Sequence, residues 1–123
     1  MVTRQTIFDY IEDNYGVKPE YTFKSYPKYA ALKNLQGKWF GLVMNVPREK
    51  LGLSGTAEVD VLDVKIDPEL GSILREQPAY LAGYHMNKDH WLTILLDQVD
   101  DQTALQLLDG SYQLVTKKGS RLS

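Results

Sequence analysis

The eight residues "YHMNKDHW", 84 to 91, hold both histidines of the chain together with Asn87, Lys88, Asp89 and Trp91. Imidazole titrates near neutral pH, so a histidine beside a lysine and an aspartate has the parts for general acid–base chemistry. The same residues also suit a metal site or a grip on a polyanion. Spacing argues against metal: His85 and His90 are five apart, which puts them on neither one helix face nor one strand face. A turn could gather them with Asp89, but no second histidine-rich segment exists. A nucleophile would have to be Ser25, Ser72, Ser111 or a tyrosine, none of them in an elbow or triad setting. "GLSG" lacks the lysine and the strand-to-helix context of a phosphate-binding loop. The absence of cysteine excludes thiol nucleophiles, disulfides and sulfur-ligated zinc. The expectation is no enzyme, no metal and no cofactor.

Two readings of the segment remain. In the structural one, Asn87 makes "MNKD" a turn and Trp91 opens a central strand beneath the last helix. A buried or half-buried His90 then donates to a carbonyl, Ser111 and Tyr112 tie the last helix to this turn, and Gly110 marks a close approach of helix to sheet. In the binding reading, His85 and Lys88 are exposed at a rim shared with Lys24, Lys28, Lys33 and Lys38. Lysines interleaved with Tyr26, Tyr29 and Trp39 combine phosphate contact with base stacking. That rim exists only if the hairpin turns share an end of the sheet with "HMNK". Otherwise the lysines are solvated protectors of strand edges.

Charge is unevenly spread. Residues 17–50 carry a net +5, residues 51–109 a net −8, and the chain as a whole −2. The total argues against general nucleic-acid affinity, whereas the basic early third leaves room for one phosphate-attracting face.

The elements that must position these residues follow from periodicity. Ile7, Phe8, Ile11 and Tyr15 form one stripe of a helix from Thr3 to Tyr15, capped by Thr3 and stopped by Gly16. Tyr21 and Phe23 alternate with polar residues, a turn follows at Ser25–Pro27, and a second run spans Tyr29–Leu32. "NLQG" signals a hairpin into the strand "KWFGLVMNV", which Pro47 ends, and "REKLGLSGT" reads as a flexible connection. In "AEVDVLDVKI" the apolar set moves from odd to even positions at Leu62. That slip predicts either a bulge or a strand covered on its other face in its second half. Asp67 and Pro68 open a short helix, and "WLTILL", apolar except for Thr93, is a central strand. Asp100 or Asp101 caps a last helix through about Thr116, with Ala104, Leu105, Leu108, Tyr112 and Val115 buried, Lys117 and Lys118 at its end and Gly119 closing it.

The order α-β-β-β-β-α-β-β-α predicts a single α+β domain over residues 1–123, with a largely antiparallel sheet and helices on one face. No apolar run approaches the roughly 20 residues of a membrane span, and the N-terminus has no apolar signal core, so a cytoplasmic protein is expected.

The phrases "KPEYTFKSYPKYAAL", "KWFGLVMNV", "VDVLDVKIDPEL", "AYLAGYHMNKDHWLTILL" and "LLDGSYQLV", in this order, resemble the MmcQ/YjbR family from about Tyr15 to Val115. The "HMNK-x-HW" and "SY-x-L" blocks are the most specific parts. The resemblance implies a bacterial protein with a compact fold similar to type III secretion chaperones, and a family commonly described as DNA-binding. It carries over no catalytic residue. Nucleic acid is therefore the leading expected partner, a peptide or protein bound by a chaperone-like groove or a homodimer the alternative, and an acid–base enzyme at His85 and Lys88 a distant third.

Overall fold

The computed structural model describes the backbone of residues 2–120 and the side chains of residues 2–116. Helix α1 spans Arg4–Tyr15. Strands β1 (Ala30–Lys33), β2 (Trp39–Pro47) and β3 (Glu58–Lys65) follow, then helix α2 (Pro68–Leu74), strands β4 (Tyr80–Ala82) and β5 (Trp91–Leu95), and helix α3 (Asp101–Ser120). The five strands form one antiparallel sheet in the order β1-β2-β3-β5-β4. After β3, α2 carries the chain to the far edge, and β4 returns by a hairpin into β5.

Local signals set the helix ends. Thr3 accepts from the Thr6 N–H, and Gly16 ends α1 at φ 70°, where only glycine is unstrained. Asp67 accepts from the Glu69 and Leu70 N–H groups with Pro68 behind it, and Asp100 accepts from Thr103. α3 does not stop at Gly119 but runs through to Ser120.

Two apolar layers sandwich the sheet. On one face Ile7, Phe8 and Ile11 of α1 and Ala104, Leu108 and Val115 of α3 pack on Phe40, Val43, Leu62, Val64, Leu92 and Ile94. Each of the larger side chains, fully buried, contributes about 1.5–3 kcal/mol. On the other face Leu42, Met44, Val46, Val61 and Leu95 are covered by loops, not helices, through Phe23, Tyr29, Leu51, Leu53, Tyr84 and Met86. β3 serves both layers. It pairs with β2 without a break from Glu58–Pro47 to Val64–Gly41, so the slip at Leu62 is a strand covered on two sides and not a bulge. The sheet's irregularity lies instead in the β1–β2 ladder, where Leu32 faces Gly41 and Lys33 faces Trp39, leaving Phe40 of β2 as the extra residue.

Three local expectations are corrected. The alternating segment at Tyr21–Phe23 is not a strand; Glu20 alone bridges Ala31 at the outer edge of β1, which reduces the expected strands by one. The connection at 48–57 is an ordered loop, with a 3-10 turn over Arg48–Leu51, a left-handed Gly52 and the Arg48 Nε donating to the Ser54 carbonyl at 2.7 Å. Gly110 is no point of close approach: it is exposed, and a Cβ there would meet nothing within 4 Å.

Candidate functional site

The "HMNK" turn is built by Asn87. Its Oδ1 accepts from the Asp89 and His90 N–H groups at 2.9 and 3.2 Å, and its carbonyl accepts from Trp91 at 3.0 Å. The structural reading of Asn87 holds, but His90 acts differently from expectation. Its side chain is exposed, and its carbonyl ties the turn to the sheet by accepting from the Ile66 N–H at 2.8 Å. Trp91 is buried with the strand parity of Thr93, away from the helix-facing Leu92 and Ile94, so it does not lie under α3.

Ser111 and Tyr112 also work elsewhere than at the turn. The Ser111 hydroxyl donates to the Phe40 carbonyl at 2.6 Å and accepts from the Lys65 N–H at 2.8 Å, pinning α3 to β2 and β3 just beyond their ladder. Tyr112 stacks on Tyr15 at 3.8 Å, and Phe40 meets both rings edge-on. The Tyr10 and Tyr15 phenols both donate to Asp109, and burial together with that carboxylate pushes the Tyr15 phenol well above its usual range. This cluster joins α1 to α3 and lies away from the candidate site.

The segment Gly83–Met86 folds back across the helix-free face. Tyr84 and Met86 join the apolar layer there, and His85 sits at the tip with φ 65°, the one non-glycine residue with positive φ among the described residues. Left-handed backbone in a histidine stores strain that the surrounding contacts must hold in place. The imidazole leans on Tyr84 at 4.1 Å and stands 6.4 Å from both Tyr26 and Tyr29, which are stacked on each other at 4.5 Å.

Two recesses open on either side of this cluster. One, of about 320 Å³, is walled by Phe23, Trp39, Leu42 and Met86; the other, of about 500 Å³, by Ser25, Lys28, Asn45, Lys50 and Glu58. Tyr26, Tyr29 and His85 line both. Tyr29 is buried and Tyr26 is 46% exposed, so one ring anchors the stack and the other presents it.

The lysines predicted for the rim divide. Lys28 lines the larger recess, and Lys24 is exposed one residue before Ser25, which lines it too. Neither has an ion-pair partner among the described residues. Lys33 is engaged, 3.3 Å from Glu20 and over the Trp39 ring at 5.7 Å. Lys38 is exposed in the β1–β2 turn, which Asn34 closes by accepting from the Gln36 and Lys38 N–H groups. That turn and the "HMNK" turn share one end of the sheet, where Lys33 faces Trp39 and Lys65 faces Trp91. Lys88 is turned inward, its Nζ donating to the Gly83 carbonyl at 2.9 Å. Lys50, from the 48–57 loop, enters the site unforeseen.

Beneath the flap lies a group that sequence reasoning passed over. Asp63, fully buried in the centre of β3, accepts the Thr93 hydroxyl at Oδ1 and has no partner at Oδ2. Burial pushes its carboxyl up to about 8, against the Thr93 hydrogen bond and the Lys88 ammonium, which pull it down. Thr93 in turn accepts from the Tyr84 N–H at 2.8 Å, so carboxyl, hydroxyl and flap form one chain. The signal was present: Asp63 and Thr93 are the polar exceptions in two apolar runs, and they face each other.

No three His, Cys, Asp or Glu side chains gather into a metal-binding group among the described residues, and no described helix is long and apolar enough to cross a membrane. The His85 ring makes no hydrogen bond to Ser25 across the recess among the described residues. What the site offers is stacking faces and cations.

Residues 13–114 match the family model named YjbR. The Bacillus subtilis (strain 168) protein YyaQ, described as uncharacterised, is 42% identical over 116 residues, covering 93% of this chain and 98% of YyaQ. Escherichia coli (strain K12) YjbR, also described as uncharacterised, is 39% identical over 54 residues, 42% of this chain and 46% of that protein. A crystal structure of a Pseudomonas syringae protein superposes with a TM-score of 0.88 at 38% identity, covering 92% of this chain and 98% of that one. A Deinococcus radiodurans protein superposes at 0.58 with 32% identity, covering 82% and 70%.

Proposed function

The chain belongs to the YjbR family, and from that premise we propose that it is a non-enzymatic nucleic-acid-binding protein that uses the sheet face opposite its helices. The observation that carries this reading is the pairing of an exposed aromatic stack, Tyr26 on Tyr29 beside His85, with Lys28 and Lys50 in the same recess; neither these two nor Lys24, exposed one residue before Ser25, has an ion-pair partner among the described residues. Stacking surface beside unpaired cations is what base and phosphate together require. The acidic remainder of the chain keeps such binding confined to this patch and modest in strength. Glu58 lines the recess itself, and Asp60, paired with Arg4, lies in the adjoining groove beyond Lys28.

Binding is favoured over catalysis because the groups that could act are engaged or isolated. The Lys88 ammonium is held by Gly83, and Asp63 is shut beneath the flap. The test is fluorescence anisotropy of labelled single- and double-stranded DNA at about 50 and about 200 mM salt, where each phosphate contact adds about 0.7–0.9 to the log–log slope. Wild type should bind with a slope of about 2–3, and Lys24, Lys28 and Lys50 all changed to Glu should abolish binding. No binding of either DNA at the lower salt would overturn the reading.

A second reading, a protein-interaction module, rests on a different surface. Leu70, Ile73 and Leu114 are 45, 56 and 44% exposed, and Leu70 and Leu114 border an apolar groove of about 290 Å³ between α2 and α3. A homodimer through this groove would dissociate on dilution and be lost in Leu70→Asp, measured by sedimentation.

A further inference from the structure

We propose that the two recesses divide a single unpaired nucleotide between them, so that the site takes single strands or extruded bases and not intact duplex. This rests on the nucleic-acid reading above and deepens it. The smaller recess has the character of a base slot. Its walls are Phe23, Trp39, Leu42 and Met86, all apolar, and its volume of about 320 Å³ lies at the low end of small-ligand clefts. Phe23 and Trp39 meet edge to face at 6.0 Å, which fixes one corner of the slot. No lysine, arginine, aspartate or glutamate lines it.

The larger recess has the opposite character. Lys28 and Lys50 supply cations, while Ser25 and Asn45 supply neutral polar groups. Its one carboxylate, Glu58, accepts from the Asn45 Nδ2 at 3.1 Å and is thereby partly satisfied. The ridge between the two recesses is the Tyr26–Tyr29–His85 cluster, which lines both. A planar uncharged group on one side of a ridge and an anion on the other is the layout of a base and its phosphate.

Recession decides between strand types. A duplex buries the faces of its bases in the stack and offers only edges and phosphates. Rings set between walls can reach a base face only when that base is unpaired. The flap that makes the ridge is shaped for this: His85 is held in left-handed backbone at its tip, and Tyr84 is anchored by its N–H to Thr93.

The experiment compares a short labelled single strand, the same strand carrying one abasic position, and its duplex, each against wild type, Tyr26→Ala and Tyr26→Phe. Tyr26 is exposed enough that both variants should fold, which circular dichroism checks. Single strand is expected to bind at least about tenfold tighter than duplex. Tyr26→Ala should weaken it by roughly five- to hundredfold, the range for loss of one stacked base, while Tyr26→Phe keeps most of the affinity. A free nucleoside monophosphate should shift the NMR signals of both Met86 and Lys28. Equal affinity for single strand and duplex, or indifference to Tyr26→Ala, overturns this inference and leaves the nucleic-acid reading standing. Failure of every nucleic acid to bind overturns both.

Discussion

Asp63 and Thr93 stand opposite each other on β3 and β5, and the threonine hydroxyl donates to the buried carboxyl at 2.6 Å. The second carboxyl oxygen has no partner, and burial raises the group from 3.8 to about 8. An acid raised in the folded state binds more protons there than in the unfolded chain. Its effect on stability is therefore nil below about pH 4, grows unfavourable as pH rises, and levels off above about pH 8. The unfolding free energy measured by urea denaturation across this range should fall for wild type relative to Asp63→Asn, at up to about 1.4 kcal/mol per pH unit. The two curves should converge in acid. Parallel curves would mean that the carboxyl does not hold its proton in the fold.

Thr93 links that carboxyl to the flap. Thr93→Val keeps the shape and removes the hydroxyl, leaving both Asp63 and the Tyr84 N–H without a partner. Unpaired buried groups cost about 1–3 kcal/mol each, so the variant should lose at least that much. Hydrogen exchange should then quicken at Tyr84 by more than it does in α1. If exchange at Tyr84 stays slow, the flap is held by its apolar contacts alone.

Ser111 is the corresponding polar anchor on the helix side. Ser111→Ala strands the Phe40 carbonyl and the Lys65 N–H, and an expected loss of about 1–3 kcal/mol follows. DNA affinity should not change, because the anchor lies on the opposite face. A stable but non-binding Ser111→Ala would place the interface on the wrong side of the sheet.

Elements and caps were legible because their signals are local. Thr3, Gly16, Asp67 with Pro68, and Asp100 each act within four residues. The two-sided burial of β3 was readable as one of two options, since apolar residues on both parities need cover on both faces. What escaped was everything fixed by distant partners. Asp63 meets Thr93 thirty residues on, and Asp109 meets Tyr10 and Tyr15 ninety-nine and ninety-four residues away. Lys88 and His90 sit in one turn, yet a side chain's direction there depends on where Gly83 and Ile66 fall. Lys28 and His85 stand out in the sequence beside turns and line one recess, while Lys50 reaches the same recess only through the fold of the 48–57 loop.

Two glycines should respond in opposite ways to alanine. Gly110 is an exposed position inside α3, and Gly110→Ala should stabilise by about 0.5–1 kcal/mol through lower unfolded-state entropy. At Gly83 a new Cβ would lie 2.8 Å from the Trp91 Cβ and 3.0 Å from its carbonyl oxygen. Neither atom is the end of a flexible chain, so Gly83→Ala should cost about 1–3 kcal/mol. Thermal melts of the two variants on either side of wild type would bear this out.

His85 sets strain against function. A left-handed conformation costs an L-residue about 1–2 kcal/mol, and glycine removes that cost while adding roughly 0.5–1 kcal/mol of backbone entropy. His85→Gly should therefore be as stable as wild type or up to about 1.5 kcal/mol more so. Its single-strand affinity should nevertheless fall, since the ring completes the ridge with Tyr26 and Tyr29. His85→Asn separates the two effects, because asparagine tolerates the backbone but has no ring to stack. Affinity lost in both variants with stability kept would mark His85 as held in a strained position for binding. Stability lost in both would instead make it a structural corner, and affinity kept in both would remove the ring from the site.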